Sequence, residues 1–77
     1  MSLRNVVSKN LRQLRSRKKL SQDDVARRSG ISVSYVSMLE RGNRVPPLET
    51  IEALAKALKV PPLSLFQDSG GHEPRRR

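Results

Sequence analysis

The residues best suited to contact another molecule lie between Gln22 and Arg41, where small and apolar positions follow a regular spacing. Ala26 stands four residues after Gln22, and Gly30 four residues later, which places a small residue where two steeply crossing helices touch and a glycine in the turn between them. The second helix keeps short polar or unbranched side chains outward, and such a helix fits a major groove about 12 Å wide. These outward residues are Val33, Ser34, Ser37 and Met38. The segment therefore predicts contact with the base edges and phosphates of duplex DNA.

Residues that could catalyse a reaction or hold a cofactor are nearly missing from the sequence. There is no cysteine, and the single histidine, His72, lies in an end rich in Gly, Pro and Arg. No glycine-rich phosphate loop is visible, and the serines have no credible base to activate them. We therefore expect no enzymatic activity, no metal site and no cofactor.

The charge balance favours a polyanionic partner. Lys and Arg number 16 against 7 Asp and Glu, and residues 1–67 alone carry a net charge of +8. A compact basic domain favours DNA, RNA or an anionic membrane surface. Tyr35 and Phe66 are the only aromatic residues, too few for a platform that stacks single-stranded bases. No apolar run is long enough to span a membrane, so the prediction is double-stranded DNA in the cytoplasm, with no membrane partner.

Five helices are predicted to position these residues in an all-α domain. The first covers roughly residues 4–17, where apolar residues recur at helical spacing. That apolar face comprises Leu3, Val7, Leu11 and Leu14. Ser21 as N-cap and Gly30 as stop predict a second helix that runs to about Ser29, and Ser32 and Gly42 likewise bound a third helix over about residues 32–41.

The second half of the chain continues this helical pattern. Pro47 is expected in the first turn of helix four, where its missing N–H costs nothing. The buried face of that helix is predicted to contain Ile51, Leu54, Ala55 and Leu58. A last short helical turn follows over residues 62–66. We therefore expect one domain over residues 1–67 and a disordered basic tail over residues 68–77.

Three stretches resemble the Cro/CI-type helix-turn-helix family, also called the xenobiotic-response-element or lambda-repressor-like family. They cover residues 20–26, 30–46 and 48–58, and the likeness extends over roughly residues 5–66. The run Glu40-Arg41-Gly42 is typical of the family. The resemblance implies a compact five-helix DNA-binding domain and a sequence-specific transcriptional regulator, with repression its expected action.

The resemblance also implies roles for individual residues. The resemblance places Val33, Ser34 and Met38 at base-reading positions, and it places phosphate contacts at Gln22, Asn43 and Arg44. Ser32, Tyr35 and Ser37 match positions near the phosphate backbone or the base edges. Arg15 and Glu40 match a structural pair that joins helix one to the end of helix three in some relatives. The best-known members carry glutamine where this chain has Val33 and Met38, and neither residue can make a bidentate bond to adenine. Packing against the core is the alternative role for Val33, Tyr35 and Met38.

A homodimer on a pseudo-palindromic site is expected, because family members commonly place two recognition helices ~34 Å apart on DNA. The candidate interface residues are Val60, Leu63, Leu65 and Phe66. An alternative function also fits the sequence. In that case the chain is an antitoxin or a restriction-modification controller that binds a protein partner and its own promoter.

Overall fold

The computed structural model describes residues 2–67, which form four α-helices and a 3₁₀ helix. The α-helices are α1 (Leu3–Arg17), α2 (Gln22–Ser29), α3 (Val33–Glu40) and α4 (Leu48–Leu58), and the 3₁₀ helix is Pro62–Leu65. The all-α class is confirmed, but the count of five helices is reduced to four α-helices. The fifth segment stays a single 3₁₀ turn because it is short and begins with a proline, which donates no backbone hydrogen bond. The predicted tail, residues 68–77, lies outside the described residues.

The helix starts follow from local side-chain chemistry. Ser21 Oγ accepts the backbone N–H of Asp24 at 2.9 Å, and the Asp24 carboxylate accepts the Ser21 N–H at 2.9 Å, which completes a capping box at α2. Ser32 Oγ accepts the N–H of Tyr35 at 3.0 Å and caps α3. Helix α4 has no side-chain cap, because Pro47 occupies its N-cap with ψ 163° and stands just before the first turn in which it was expected.

All four α-helices contribute to one core, and the 3₁₀ helix, which packs on α1 and α4, adds Leu65 to it. The buried apolar residues of the core are Val7, Leu11, Val25, Ala26, Val36, Leu39, Ile51, Leu54, Ala55, Leu58 and Leu65. The expected apolar face of α1 needs one correction, since Leu3 is 51% exposed. Leu3 stands one turn before Val7 and lies in the first turn of α1, beyond the edge of the core.

Asn10 attaches the 3₁₀ helix to α1. Its side chain is buried, and Nδ2 donates to the backbone oxygens of Leu65 at 2.9 Å and Gln67 at 2.7 Å. A buried amide that is paired in this way avoids the cost of desolvation without a partner. Asn10 therefore holds the last described turn in a defined place against the first helix.

Candidate nucleic-acid interface

Helices α2 and α3 form a helix-turn-helix around Gly30. Gly30 has φ +77°, and its N–H donates to the Ala26 oxygen at 2.9 Å. The Ile31 N–H donates to the same oxygen at 3.2 Å, so both residues of the turn are hydrogen-bonded to the last turn of α2. A Cβ at Gly30 would meet no atom within 4 Å. The glycine is therefore required by its positive φ and not by crowding.

Helix α3 divides its residues between the core and an open face. Val36 and Leu39 are buried, at 0% and 1% exposure. Val33 is 43% exposed and Ser34 is also exposed, while Met38 is half-buried. These last three residues, predicted to contact bases, thus keep surface at which another molecule can contact them.

Other residues predicted to contact DNA are engaged within the protein. The hydroxyl of Ser32 is exposed but accepts the N–H of Tyr35, and Tyr35 itself packs partly buried against the core. Ser37 is half-buried and accepts a hydrogen bond from Arg41 Nη1 at 2.9 Å. For Ser32 and Ser37, contact with DNA would have to share the hydroxyl with these bonds.

Glu40, the last residue of α3, is the centre of a charged network. Its side chain is 5% exposed, and Oε2 lies 2.5 Å from Arg15 Nε. Oε1 accepts Arg15 Nη2 and Gln22 Nε2, each at 3.0 Å. Arg15 Nη1 also donates to the Leu20 oxygen at 2.9 Å, and hydrogen bonding to Glu40 raises the pKa of Arg15. The Gln22 side chain, predicted to contact a phosphate, is thus directed to the end of α3.

This network fixes the position of α3 in the fold. Arg15 comes from α1, Gln22 opens α2 and Glu40 ends α3, so a single carboxylate joins three helices. Charge-assisted hydrogen bonds of this kind are roughly twice as strong as neutral ones. Helix α3 is therefore held at its C-terminal end by these hydrogen bonds and along its length by the packing of Val36 and Leu39.

Arg12 and Arg41 are two cationic residues at the end of α3 that the sequence analysis did not select. Arg12 Nη1 donates to the backbone oxygen of Glu40, and Arg41 donates to Ser37. Both arginines are exposed. A signal for Arg12 was available, because it precedes Arg15 by three residues and therefore shares its side of α1.

The turn after α3 lies close against α1. Gly42 has φ +79°, and a Cβ there would lie 3.3 Å from Asn5 Oδ1 and 3.4 Å from Ser8 Oγ. Both the backbone conformation and the close approach therefore require glycine at this point. Asn43 and Arg44, predicted to contact phosphates, follow immediately and are exposed.

The acidic start of α2 is partly neutralised within its own helix. Arg27 lies 3.2 Å from Asp23 and 2.6 Å from Asp24. The backbone N–H of Ser21, and then Arg27, lower the pKa of Asp24 to about 2. Asp24 is thus ionised at neutral pH, where it suits the positive end of the helix dipole.

The four residues predicted at a dimer interface do not all lie at the surface. Leu63 is 63% exposed, and Val60 and Phe66 are partly buried against the core. Leu65 is 0% exposed, so its assignment to the interface is corrected. In a 3₁₀ helix with three residues per turn, positions two apart lie on different sides, which allows Leu63 to face out while Leu65 faces in.

Two features are absent from residues 2–67. No cluster of three or more His, Cys, Asp or Glu side chains that could hold a metal ion is found in that part of the chain. None of its helices combines the length and the apolar character that a membrane span requires.

Comparison with known proteins places this geometry among related chains. The profile of a family described as helix-turn-helix matches residues 11–65. The HTH-type transcriptional regulator y4dJ of Sinorhizobium fredii is 47% identical over 60 residues, which cover 78% of each chain. The phage CTXphi transcriptional repressor RstR of Vibrio cholerae is 39% identical over 62 residues, which cover 80% of this chain and 56% of the repressor.

A solved structure is similar over almost its whole length. The restriction-modification controller protein C.AhdI from Aeromonas hydrophila superposes with a TM-score of 0.79 at 43% sequence identity. The superposition covers 82% of this chain and 96% of the controller.

Proposed function

The chain belongs to the Cro/CI-type helix-turn-helix family, and we propose that it regulates transcription, as a repressor, by binding double-stranded DNA as a homodimer. In this proposal α3 lies in the major groove of a pseudo-palindromic site. The proposed action takes place in the cytoplasm and requires no catalytic step.

The observation that carries the proposal is that α3 is held in the fold by one set of residues and exposes another. Val36, Leu39 and Glu40 hold the helix from within, whereas Val33 and Ser34 stay exposed. Because the buried residues anchor α3, its exposed residues can contact base edges without weakening the packing of the helix. The net charge of +8 on residues 1–67 supplies attraction to phosphates of any sequence.

The open face of α3 also limits which bases it can select. Val33 and Met38 offer no strong hydrogen-bonding group, and the apolar feature of the major groove is the thymine methyl. We infer that thymines lie opposite these two side chains. Ser34 can serve either a base or a phosphate, because its hydroxyl both donates and accepts.

Dimer formation is assigned to the surface around the 3₁₀ helix. Leu63 is a large apolar residue left 63% exposed, and Val60 and Phe66 flank it only partly buried. In the proposed homodimer, the two recognition helices would lie about one helical turn of DNA apart, or ~34 Å, as is usual for dimers with this motif.

Selection from a random DNA pool, followed by sizing of the complex, tests the proposal. Selected sites should contain two inverted half-sites, and the complex should contain two protein chains. Failure to enrich any sequence would refute sequence-specific reading. Enrichment of single half-sites, bound by one chain, would refute the dimer but leave the reading by α3 in place.

Control of a restriction-modification operon is a second candidate. It is favoured by the 43% identity to the controller C.AhdI over 96% of that chain. The control protein C.SmaI of Serratia marcescens is also similar, at 37% identity over 60 residues. Binding to the promoter of its own gene, beside genes for a nuclease and a methyltransferase, would support this candidate. Copurification with a protein whose toxicity the chain suppresses would instead support the antitoxin alternative.

A further inference from the structure

We propose that Arg12 of α1 is a phosphate-binding residue, which extends the DNA contact surface from α2 and α3 onto the first helix. The inference rests on the proposed function, because it concerns the same DNA site. The ligand is a phosphodiester group of the DNA backbone, next to the phosphates assigned to Asn43 and Arg44.

One face of α1 lies against the end of the recognition helix. Asn5 and Ser8 line the close approach of Gly42, and Arg12 Nη1 donates to the Glu40 oxygen. These three α1 residues recur at intervals of three and four, so they share one side of the helix. A DNA backbone that contacts the turn after α3 therefore runs beside this side of α1.

Arg12 is oriented but not saturated. An arginine has five N–H donors in a planar fork, and the bond to Glu40 is one hydrogen bond. The side chain remains exposed, and among residues 2–67 no carboxylate lies within ion-pair distance of it. The remaining donors can form the paired hydrogen bonds by which arginine binds phosphate.

Electrostatics at the end of α3 supplies a reason for a cation at this point. The C-terminus of a helix carries partial negative charge, which repels a phosphate. Arg15 neutralises the Glu40 carboxylate, and Arg12 covers the Glu40 carbonyl oxygen. Together with the exposed Arg41, they make the end of α3 attractive to DNA.

The test compares Arg12→Gln with Arg17→Gln in titrations of one fixed duplex at several salt concentrations. Arg17 is a matched control, since it is an exposed α1 arginine about 140° around the helix from position 12. The slope of log K against log salt is negative. Loss of one phosphate contact should reduce its magnitude by about 0.9 for Arg12→Gln and leave it unchanged for Arg17→Gln. Between about 50 and 200 mM salt, the Arg12→Gln variant should therefore lose three- to fourfold less affinity than the wild type.

A second measurement uses the folded wild-type protein. The Arg12 Nε–H resonance, identified by its absence from the spectrum of Arg12→Lys, should shift when the duplex is added. An unmoved resonance, or an unchanged salt slope for Arg12→Gln, would overturn the assignment of Arg12. Absence of DNA binding by the wild type would instead overturn the proposed function, so the two failures are distinguishable.

Discussion

Removing Arg15 should destabilise the domain more than neutralising Glu40, because the two members of this pair differ in exposure. The Glu40 side chain is 5% exposed, whereas that of Arg15 is 22% exposed. In Arg15→Met the carboxylate stays buried with Gln22 as its remaining side-chain donor. In Glu40→Gln the guanidinium keeps a hydrogen-bond acceptor and can also reach water.

The magnitudes follow from this asymmetry. A buried charge stripped of its partner costs about 3–5 kcal/mol, so Arg15→Met should lower the free energy of unfolding by that amount. This range of about 3–5 kcal/mol also covers the loss of the hydrogen bond from Arg15 to the Leu20 backbone oxygen. Weakened charge-assisted hydrogen bonds cost about 1.5–3 kcal/mol, which is the loss expected for Glu40→Gln. In a domain of this size each kcal/mol corresponds to roughly 4–8 °C in Tm.

Urea denaturation of both variants, the double variant and Arg17→Met would measure these effects. Arg17 is exposed, so Arg17→Met should stay within about 0.5 kcal/mol of the wild type. The double variant should recover part of the loss of Arg15→Met, because it leaves no buried charge. Equal losses for Arg15→Met and Glu40→Gln would refute the reasoning from exposure.

Four further predictions concern base recognition, phosphate binding, dimer formation and the pH dependence of stability. Met38→Ala should relax base preference at one position by roughly 1–3 kcal/mol and leave the salt dependence of DNA binding unchanged, as titrations of single-base variants would show. Arg44→Ala should weaken binding to all sequences and lower the salt slope by about one unit; a changed base preference would contradict this role. Leu63→Asp should abolish dimers in sedimentation on the selected site without lowering Tm, since Leu63 is exposed; an intact dimer would remove this surface from the interface. Asp24 has a pKa lowered from 3.8 to about 2, so its contribution to stability is present above pH 3.8 and lost as the pH falls towards 2; Asp24→Asn should remove this part of the pH dependence of the urea midpoint.

Local features of the sequence predicted most of the fold. The capping serines, Ser21 and Ser32, act within three residues along the chain, and Gly30 acts on its own backbone. Such features can be recognised without knowing what packs against them. The buried face of α4 was predictable for a similar reason, because helical spacing shows which face is apolar.

The misplaced residues depended on distant parts of the chain. Leu65 is buried because the 3₁₀ helix packs on α1 and α4. Asn10 of α1, 55 residues earlier, donates a hydrogen bond to the Leu65 backbone oxygen. The bond from Gln22 to Glu40, 18 residues away, was also not predicted, while the phosphate contact predicted for Gln22 stays a prediction. The spacing of Arg12 from Arg15 indicated its side of α1, but its bond to the backbone oxygen of Glu40 depends on how α1 packs against α3. These contacts require knowledge of how the helices cross.

The separation of anchoring residues from exposed residues on α3 has an evolutionary consequence. Substitutions at Val33 or Ser34 alter an open surface, where most changes shift stability by less than about 0.5 kcal/mol. A gene duplicate can therefore acquire a new operator by single steps, each of which leaves a folded protein. A change at Glu40 has no such freedom, because Arg15 and Gln22 would have to change with it. Target preference can thus diverge quickly between copies while the scaffold changes slowly.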